Sequence, residues 1–244
     1  MRSLKVVKNI KEISKNNLHV LTLMAVLAVY CLLIIQQPDL GSAAVIFVSC
    51  LALLFIAGMR MKLFVVLAIT SIFVLIWFVV MEPFRLERLL TFINPWKVPF
   101  DAGYQLVQAL IAFGRAGWFG LGLGEGVQKL YYLPEAHNDF IFAVIVEELG
   151  VFGAVSLITL YSCFVWLIFS IAKKSLERGD FFGGYCCFFA GFLFAFQFLI
   201  NVGVNSGLLP TKGLTLPLIS YGGSSLIVSC MLLGILLRAS VGKD

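Results

Sequence analysis

Residues 63–81 read LFVVLAITSIFVLIWFVVM, nineteen consecutive positions without a charge. Crossing the hydrocarbon core of a bilayer takes about 20 apolar residues of helix, so this stretch predicts a transmembrane helix. Five more runs of the same kind follow the same reasoning: Leu18 to Gln36, Leu40 to Met59, Asp139 to Ile171, Phe181 to Val204 and Leu216 to Leu237. The composition agrees. Of 244 residues 61% are hydrophobic and 13% charged, whereas soluble domains carry about 25% charge. A β-barrel would alternate apolar with polar positions, and these runs do not. The reading is an all-α integral membrane protein with about six transmembrane helices and one large extracellular loop holding a short re-entrant or interfacial helix. The first span is not a cleaved signal peptide, since its apolar stretch exceeds the usual length of about 7–15 residues and ends in Gln36, Gln37, Pro38, Asp39. Cys31, Cys50, Cys163, Cys186, Cys187 and Cys230 all fall inside apolar runs, where thiols pack as small hydrophobes.

Four segments follow: a cytoplasmic basic flank over 1–17, three spans over 18–81, the outer loop over 82–138, and three spans with a short cytoplasmic tail over 139–244. Orientation rests on the 18 Lys and Arg. With the N-terminus in the cytoplasm, Arg2, Lys5, Lys8, Lys11, Lys15, Arg60, Lys62, Lys173, Lys174, Arg178, Arg238 and Lys243 all lie inside, as the positive-inside rule requires. Both termini are then cytoplasmic. Arg85, Arg88, Lys97, Arg115, Lys129 and Lys212 lie outside, five of them in the long loop. Cations against the trend point to an anion on the outer face, and the apolar content favours a phosphate-bearing lipid over nucleic acid. In the N-terminal flank, Leu4, Val7, Ile10 and Ile13 recur at helical spacing among lysines. That pattern suits a helix lying on the membrane surface, or equally an ordinary basic flank.

The long loop has structure of its own. Tyr104 to Phe113 forms an apolar helical stretch too short to span. Gly114, Gly117, Gly120, Gly122, Gly124 and Gly126 follow, six glycines in thirteen residues. They suit either a phosphate cradle or a tight irregular path. Arg85 and Arg88, three apart, share a helical face and can grip a diphosphate by paired hydrogen bonds, or snorkel toward headgroups. Glu135, His137 and Asp139 stand within five residues. Asp139 opens the fourth span, so it suits a helix N-cap, and it suits equally a general base at the outer face. The three together could also collect a divalent cation. Glu147 and Glu148 lie roughly 12 Å further along the same helix, at about 1.5 Å per residue; ionisable groups at that depth imply a function or a specific partner. Gln197, Asn201 and Asn205 form a stripe that must face protein or a wet cavity.

Five stretches carry a family resemblance: QPDLGSA from Gln37, FRLERLLTFINPW from Phe84, GYQLVQALIAFGRAGWFGLGLG from Gly103, KLYYLPEAHNDFIFAVIVEELG from Lys129 and LLPTKGLTLPLISYGGSS from Leu208. They resemble the signatures of the SEDS family (shape, elongation, division and sporulation), the polytopic glycosyltransferases of bacterial cell-wall synthesis. Thr211 to Thr215 is closer to the division branch than to the elongation branch. The resemblance implies polymerisation of lipid II, an undecaprenyl-diphosphate-linked disaccharide peptide, with inversion at the sugar carbon bearing the diphosphate. Asp139 matches the family's essential acid, which takes the proton of the acceptor hydroxyl. Arg85, Arg88, Arg115, Lys129 and Lys212 would steady the diphosphate, and Asp39, Glu135, His137, Glu147, Glu148, Asn201, Asn205 and Ser220 would furnish supporting polar groups around the cavity. No cofactor is required by these residues; a divalent cation, Mg or Mn, on the diphosphate is the one that the chemistry admits.

The implied partners are a class B penicillin-binding protein transpeptidase and other membrane proteins of the division machinery, in the bacterial cytoplasmic membrane at the septum. Family members have ten spans, and this chain resembles the last six. Val98 stands where the family often has an acid, and Arg115 stands among glycines. Two other functions compete with polymerisation: transport of lipid II across the bilayer, and a non-catalytic scaffold for the division machinery.

Overall fold

The computed structural model describes residues 17–37, 39–101 and 103–241. The basic flank and its surface helix therefore lie outside the described residues, apart from Asn17. Eight α-helices are present among them: α1 (Asn17–Gln36), α2 (Leu40–Ile56), α3 (Met61–Val80), α4 (Pro83–Ile93), α5 (Tyr104–Ala116), α6 (Ile141–Glu177), α7 (Phe181–Asn205) and α8 (Gly223–Val241). A 3-10 turn at Pro95–Lys97 and a π-helical turn at Gln128–Tyr132 lie between them. In lipid every backbone polar group has to be satisfied within the protein, and a helix does this unaided. Helices α3, α6, α7 and α8 are long and apolar enough to cross a membrane, and Val20–Gln36 and Leu40–Ile56 are shorter apolar helices. The chain is thus an all-helical, multi-pass membrane protein. α3 has no fully buried residue in its span, and its Leu63, Phe64, Leu67 and Ala68 pack partly buried against α1 and α2.

The chain divides into two compact units. The first comprises 1–72, 163–196 and 227–244. In it α1 packs on α2 through Val20, Met24, Leu51 and Met59. Asp39 begins α2, its carboxylate accepting the Ser42 N–H at 2.9 Å, a cap that satisfies one of the orphan donors of a helix start. α6 and α7 approach closely because Gly184 and Gly191 leave room for Leu176 and Ile168, the small-residue packing that membrane helices favour.

The second unit comprises 73–162 and 197–226. Its core joins α5, the turn before α6, and the end of α7, through Ala109, Ala112, Leu133, Ala136, Phe140, Ala143 and Val204. The rings of Tyr161 and Phe198 stack with centroids 4.1 Å apart. α6 is not continuous within this unit: Gly150 sits at φ 71°, ψ −166° and breaks it.

Candidate functional site

The break at Gly150 is repaired by the glycine-rich segment. In an intact helix the Glu147 and Glu148 carbonyls would accept from Val151 and Phe152. Instead they accept from the Leu121 and Gly122 N–H groups, each at 3.0 Å. Val151 and Phe152 donate to the carbonyls of Gly117 and Trp118, each at 3.1 Å. Four hydrogen bonds to a foreign strand thus take the place of the helix's own. The approach is so close that a Cβ at Gly120 would stand 2.1 Å from the Glu148 carbonyl oxygen, and one at Gly150 2.4 Å from the Gly120 nitrogen. Both residues also hold positive φ, which glycine adopts freely. The N–H groups of Gly120, Leu121, Gly122 and Gly124 all go to protein oxygens. This half of the run is a splint for α6 and cradles no phosphate.

The same splint carries the two glutamates. Glu148 receives Lys129 Nζ at 2.7 Å on Oε1 and the Gly124 N–H at 3.0 Å on Oε2, while Lys129 also donates to the Gly124 carbonyl at 2.6 Å. Glu147 is fully buried, and its Oε2 accepts the Gln128 N–H at 3.1 Å. Glu147 Oε1 and Gln128 Oε1 are buried without a hydrogen-bond partner. Gly126 is the wall of this cluster, since a Cβ there would meet both carboxylates, at 2.8 Å and 3.1 Å.

Asp139 lies in a turn that precedes α6, two residues before its first helical residue, Ile141. Three successive carbonyls of this turn are held from elsewhere in the unit. The Tyr221 N–H donates to His137 O at 3.0 Å, Ser220 Oγ donates to Asn138 O at 2.6 Å, and the side-chain amides of Asn201 and Asn205 donate to Asp139 O at 2.8 and 2.9 Å. Ser220 is itself held, its Oγ accepting the Leu216 N–H at 2.7 Å. Inside the turn, Glu135 adopts φ 56° and its carboxylate accepts from the Asn138 side-chain amide. With its backbone held, the Asp139 carboxylate lies against Gly213: a Cβ there would be 2.9 Å from Oδ2 and 3.8 Å from Cγ. Gly213 therefore keeps the space that the carboxylate occupies, and Lys212 precedes it, half-buried.

The structure brings together Glu135, His137, Asp139, Asn201, Asn205 and Ser220, with the Lys212–Gly213 segment beside them. Glu147, Glu148 and Lys129 form a separate cluster further along α6, in which the Lys129 ammonium binds Glu148. Arg115 is exposed at the end of α5, and Arg88 is half-buried on α4. The side chain of Arg85 lies outside the described residues. Asp39 belongs to the other unit, where it caps α2. His137 is exposed and Glu135 is engaged with Asn138; among the described residues no three of His, Cys, Asp and Glu form a metal-binding group. Glu135, His137 and Asp139 thus do not form a ready set of ligands among these residues. Two participants escape a reading of the sequence by residue type: Gly213, which carries no functional group, and Gln128, whose signal is only its place next to Lys129.

The site is thus a backbone-locked carboxylate beside a glycine and a lysine, in a multi-pass helical membrane protein. The chain is a member of the cell cycle protein family of FtsW, RodA and SpoVE, whose model matches residues 2–244, and the SEDS resemblance of its motifs is thereby shown. It is 48% identical over 221 residues to the probable peptidoglycan glycosyltransferase FtsW of Saccharophagus degradans, covering 91% of this chain and 57% of the relative. It is 47% identical over 232 residues to the protein of that description from Pseudoalteromonas translucida, covering 95% and 58%. The chain thus spans somewhat over half the length of these relatives. Among solved structures it is similar to a chain described under "structural coordination of polymerization and crosslinking by a peptidoglycan synthase complex", at TM-score 0.65 and 29% identity, covering 89% of this chain and 60% of that one. It is also similar to the rod shape determining protein RodA of Thermus thermophilus, at TM-score 0.60 and 25% identity, covering 99% and 64%.

Proposed function

We propose that this chain carries the catalytic loop of a peptidoglycan glycosyltransferase that polymerises lipid II during bacterial cell division. The relatives named as probable peptidoglycan glycosyltransferases support the reaction class. The observation that carries the assignment is the Asp139 carboxylate, seated against Gly213 while its own backbone is held by two buried amides. A general base works only if its oxygen is fixed within hydrogen-bond reach of the proton it removes.

In this reading an acceptor sugar hydroxyl attacks the donor carbon bearing the diphosphate. A new C–O bond forms on the face opposite the departing oxygen, the bond to the diphosphate breaks, and the hydroxyl proton passes to Asp139. One displacement inverts the carbon. Negative charge grows on the leaving diphosphate, and Arg85, Arg88 and Lys212 stabilise it electrostatically. Lys129 has a structural task in its bond to Glu148 and contributes less. The protein sits in the bacterial cytoplasmic membrane at the septum with its termini inside. A class B penicillin-binding protein works beside it; support comes from the similar chain described as part of a synthase complex joining polymerisation and crosslinking.

The test is polymerisation of lipid II by the purified protein. Glycan ladders that persist with penicillin present and vanish in Asp139→Ala are expected. Ladders of equal strength from Asp139→Ala would remove Asp139 from the reaction, and movement of fluorescent lipid II across proteoliposomes without any polymer would replace polymerisation by transport.

A further inference from the structure

We propose that Asn205, seconded by Asn201, is a positioning residue: its amide keeps Asp139 out of helix α6 and so holds the carboxylate in its working place. The proposal rests on the reading of Asp139 as the base and deepens it. In an uninterrupted helix the Asp139 carbonyl would accept from the Ala143 N–H. The Asn205 amide is spliced between these two groups, Nδ2 donating to Asp139 O at 2.9 Å and Oδ1 accepting at 3.0 Å from Ala143 N, which it shares with Phe140 O at 3.0 Å. Asn201 adds a second tie. Its Nδ2 donates to Asp139 O at 2.8 Å and to Leu214 O at 2.7 Å, so a single amide sets the spacing between the carboxylate-bearing turn and the residue after Gly213.

Both amides are almost fully buried, and Asn205 Nδ2 also donates to Asn201 O at 2.8 Å. The pair therefore has fixed geometry. Removing the Asn205 side chain leaves neither Asp139 O nor the Ala143 N–H orphaned, because Asn201 Nδ2 still donates to the first, the second still donates to Phe140 O at 3.0 Å, and the two are freed to close on each other. The helix then grows backward through Asp139, and each residue added turns by about 100° around the axis. The carboxylate leaves Gly213, and the new Asp139 O to Ala143 N–H bond offsets part of the bonds that the Asn205 side chain supplied. Loss of geometry with little loss of stability separates a positioning residue from a merely structural one.

The experiment has two arms. In the first, Asn205→Ala and Asn205→Asp are compared with the unaltered protein in lipid II polymerisation; the Asp variant keeps an acceptor for Ala143 and removes the donor to Asp139. Both are expected to lower kcat by about 100-fold, the scale of a misplacement of about 1 Å, with KM within about twofold. The second arm needs no turnover. In a background lacking the six native cysteines, Asp139→Cys and Gly213→Cys are oxidised to a disulfide, since Sγ of the first would occupy the place of Asp139 Cγ, 3.8 Å from a Cβ at Gly213. Crosslinking is expected to be at least about tenfold slower when Asn205→Ala is added, the factor that about 1.4 kcal/mol of lost preference for the seated turn produces. Equal crosslinking rates, a rise in KM at constant kcat, or an Asn205→Ala protein that does not fold would each overturn the proposal. If crosslinking slows while Asp139→Ala still polymerises lipid II, the positioning stands and the base must be sought elsewhere.

Discussion

Lys129 Nζ lies 2.7 Å from Glu148 Oε1, with the lysine side chain 24% and the glutamate 12% exposed. The pair ties the π-helical turn to α6. Lys129→Ala leaves the Glu148 carboxylate with its backbone donors Gly124 and Gly126 only, and hydrogen bonds to charged groups contribute about 1.5–3 kcal/mol each. A loss of about that size is expected in the unfolding of the detergent-solubilised protein. Lys129→Ala together with Glu148→Gln should recover part of it, because no charge is then left unpaired.

Glu147 and Gln128 offer a contrasting case. Two buried acceptor oxygens, Glu147 Oε1 and Gln128 Oε1, have no donor. Glu147→Gln keeps an oxygen for the Gln128 N–H and replaces the other by an amide donor. Its stability is expected to equal or exceed that of the unaltered protein. Glu147→Ala, which empties the position and leaves the Gln128 N–H unpaired, should cost about 1–3 kcal/mol. Thermal unfolding of the two variants side by side checks the order.

Glycine substitutions separate the splint from its surroundings. Gly120→Ala places a methyl group 2.1 Å from the Glu148 carbonyl oxygen at a positive φ, so the segment must leave α6, and a destabilisation above about 2 kcal/mol is expected. Gly114 lies inside α5 with nothing within 4 Å of its would-be Cβ. Gly114→Ala should stabilise by about 0.5–1 kcal/mol through helix propensity alone. Two alanines six residues apart in one glycine run are thus expected to act with opposite sign.

Gly213→Ala probes the seat of the carboxylate. The added methyl would lie 2.9 Å from Asp139 Oδ2, so the carboxylate must shift by a few tenths of an ångström or more. A drop in kcat of about 10–100-fold with an unchanged unfolding midpoint is expected, against loss of about 100–10,000-fold for Asp139→Asn. Single-turnover polymerisation assays resolve the two.

The apolar runs made the helices legible because lipid imposes one solution on any uncharged stretch of that length. The Asn201 and Asn205 stripe was legible as a demand for a partner, but not which partner, since the answer lies 62 residues away at Asp139 and Ala143. Asp139 could be taken for the cap of α6 because it stands at the polar end of an apolar run; the helix begins at Ile141, with the Asn205 amide bound to Asp139 O and to the Ala143 N–H. Nothing in the residues around Gly150 marks it as a break. Its role as a break depends on a strand some 30 residues earlier, and long-range backbone pairing leaves no period in the chain. Likewise Lys129 and Glu148 were both visible as misplaced charges, while their pairing is a product of the fold.

The exchange of bonds at Gly150 also bears on how this stretch can change in length. Residues 117, 118, 121 and 122 are read off in order against 151, 152, 147 and 148, so the segment is matched to α6 like teeth to a key. Deleting or inserting one residue between Gly117 and Gly122 would put a side chain where Gly120 passes and leave carbonyls of α6 unanswered, whatever residue was chosen. Additions before Gly117 or after Gly126 disturb none of these matches. Variation in the size of the loop between α5 and α6 is therefore channelled to either side of a six-residue stretch whose length is set by the helix it mends.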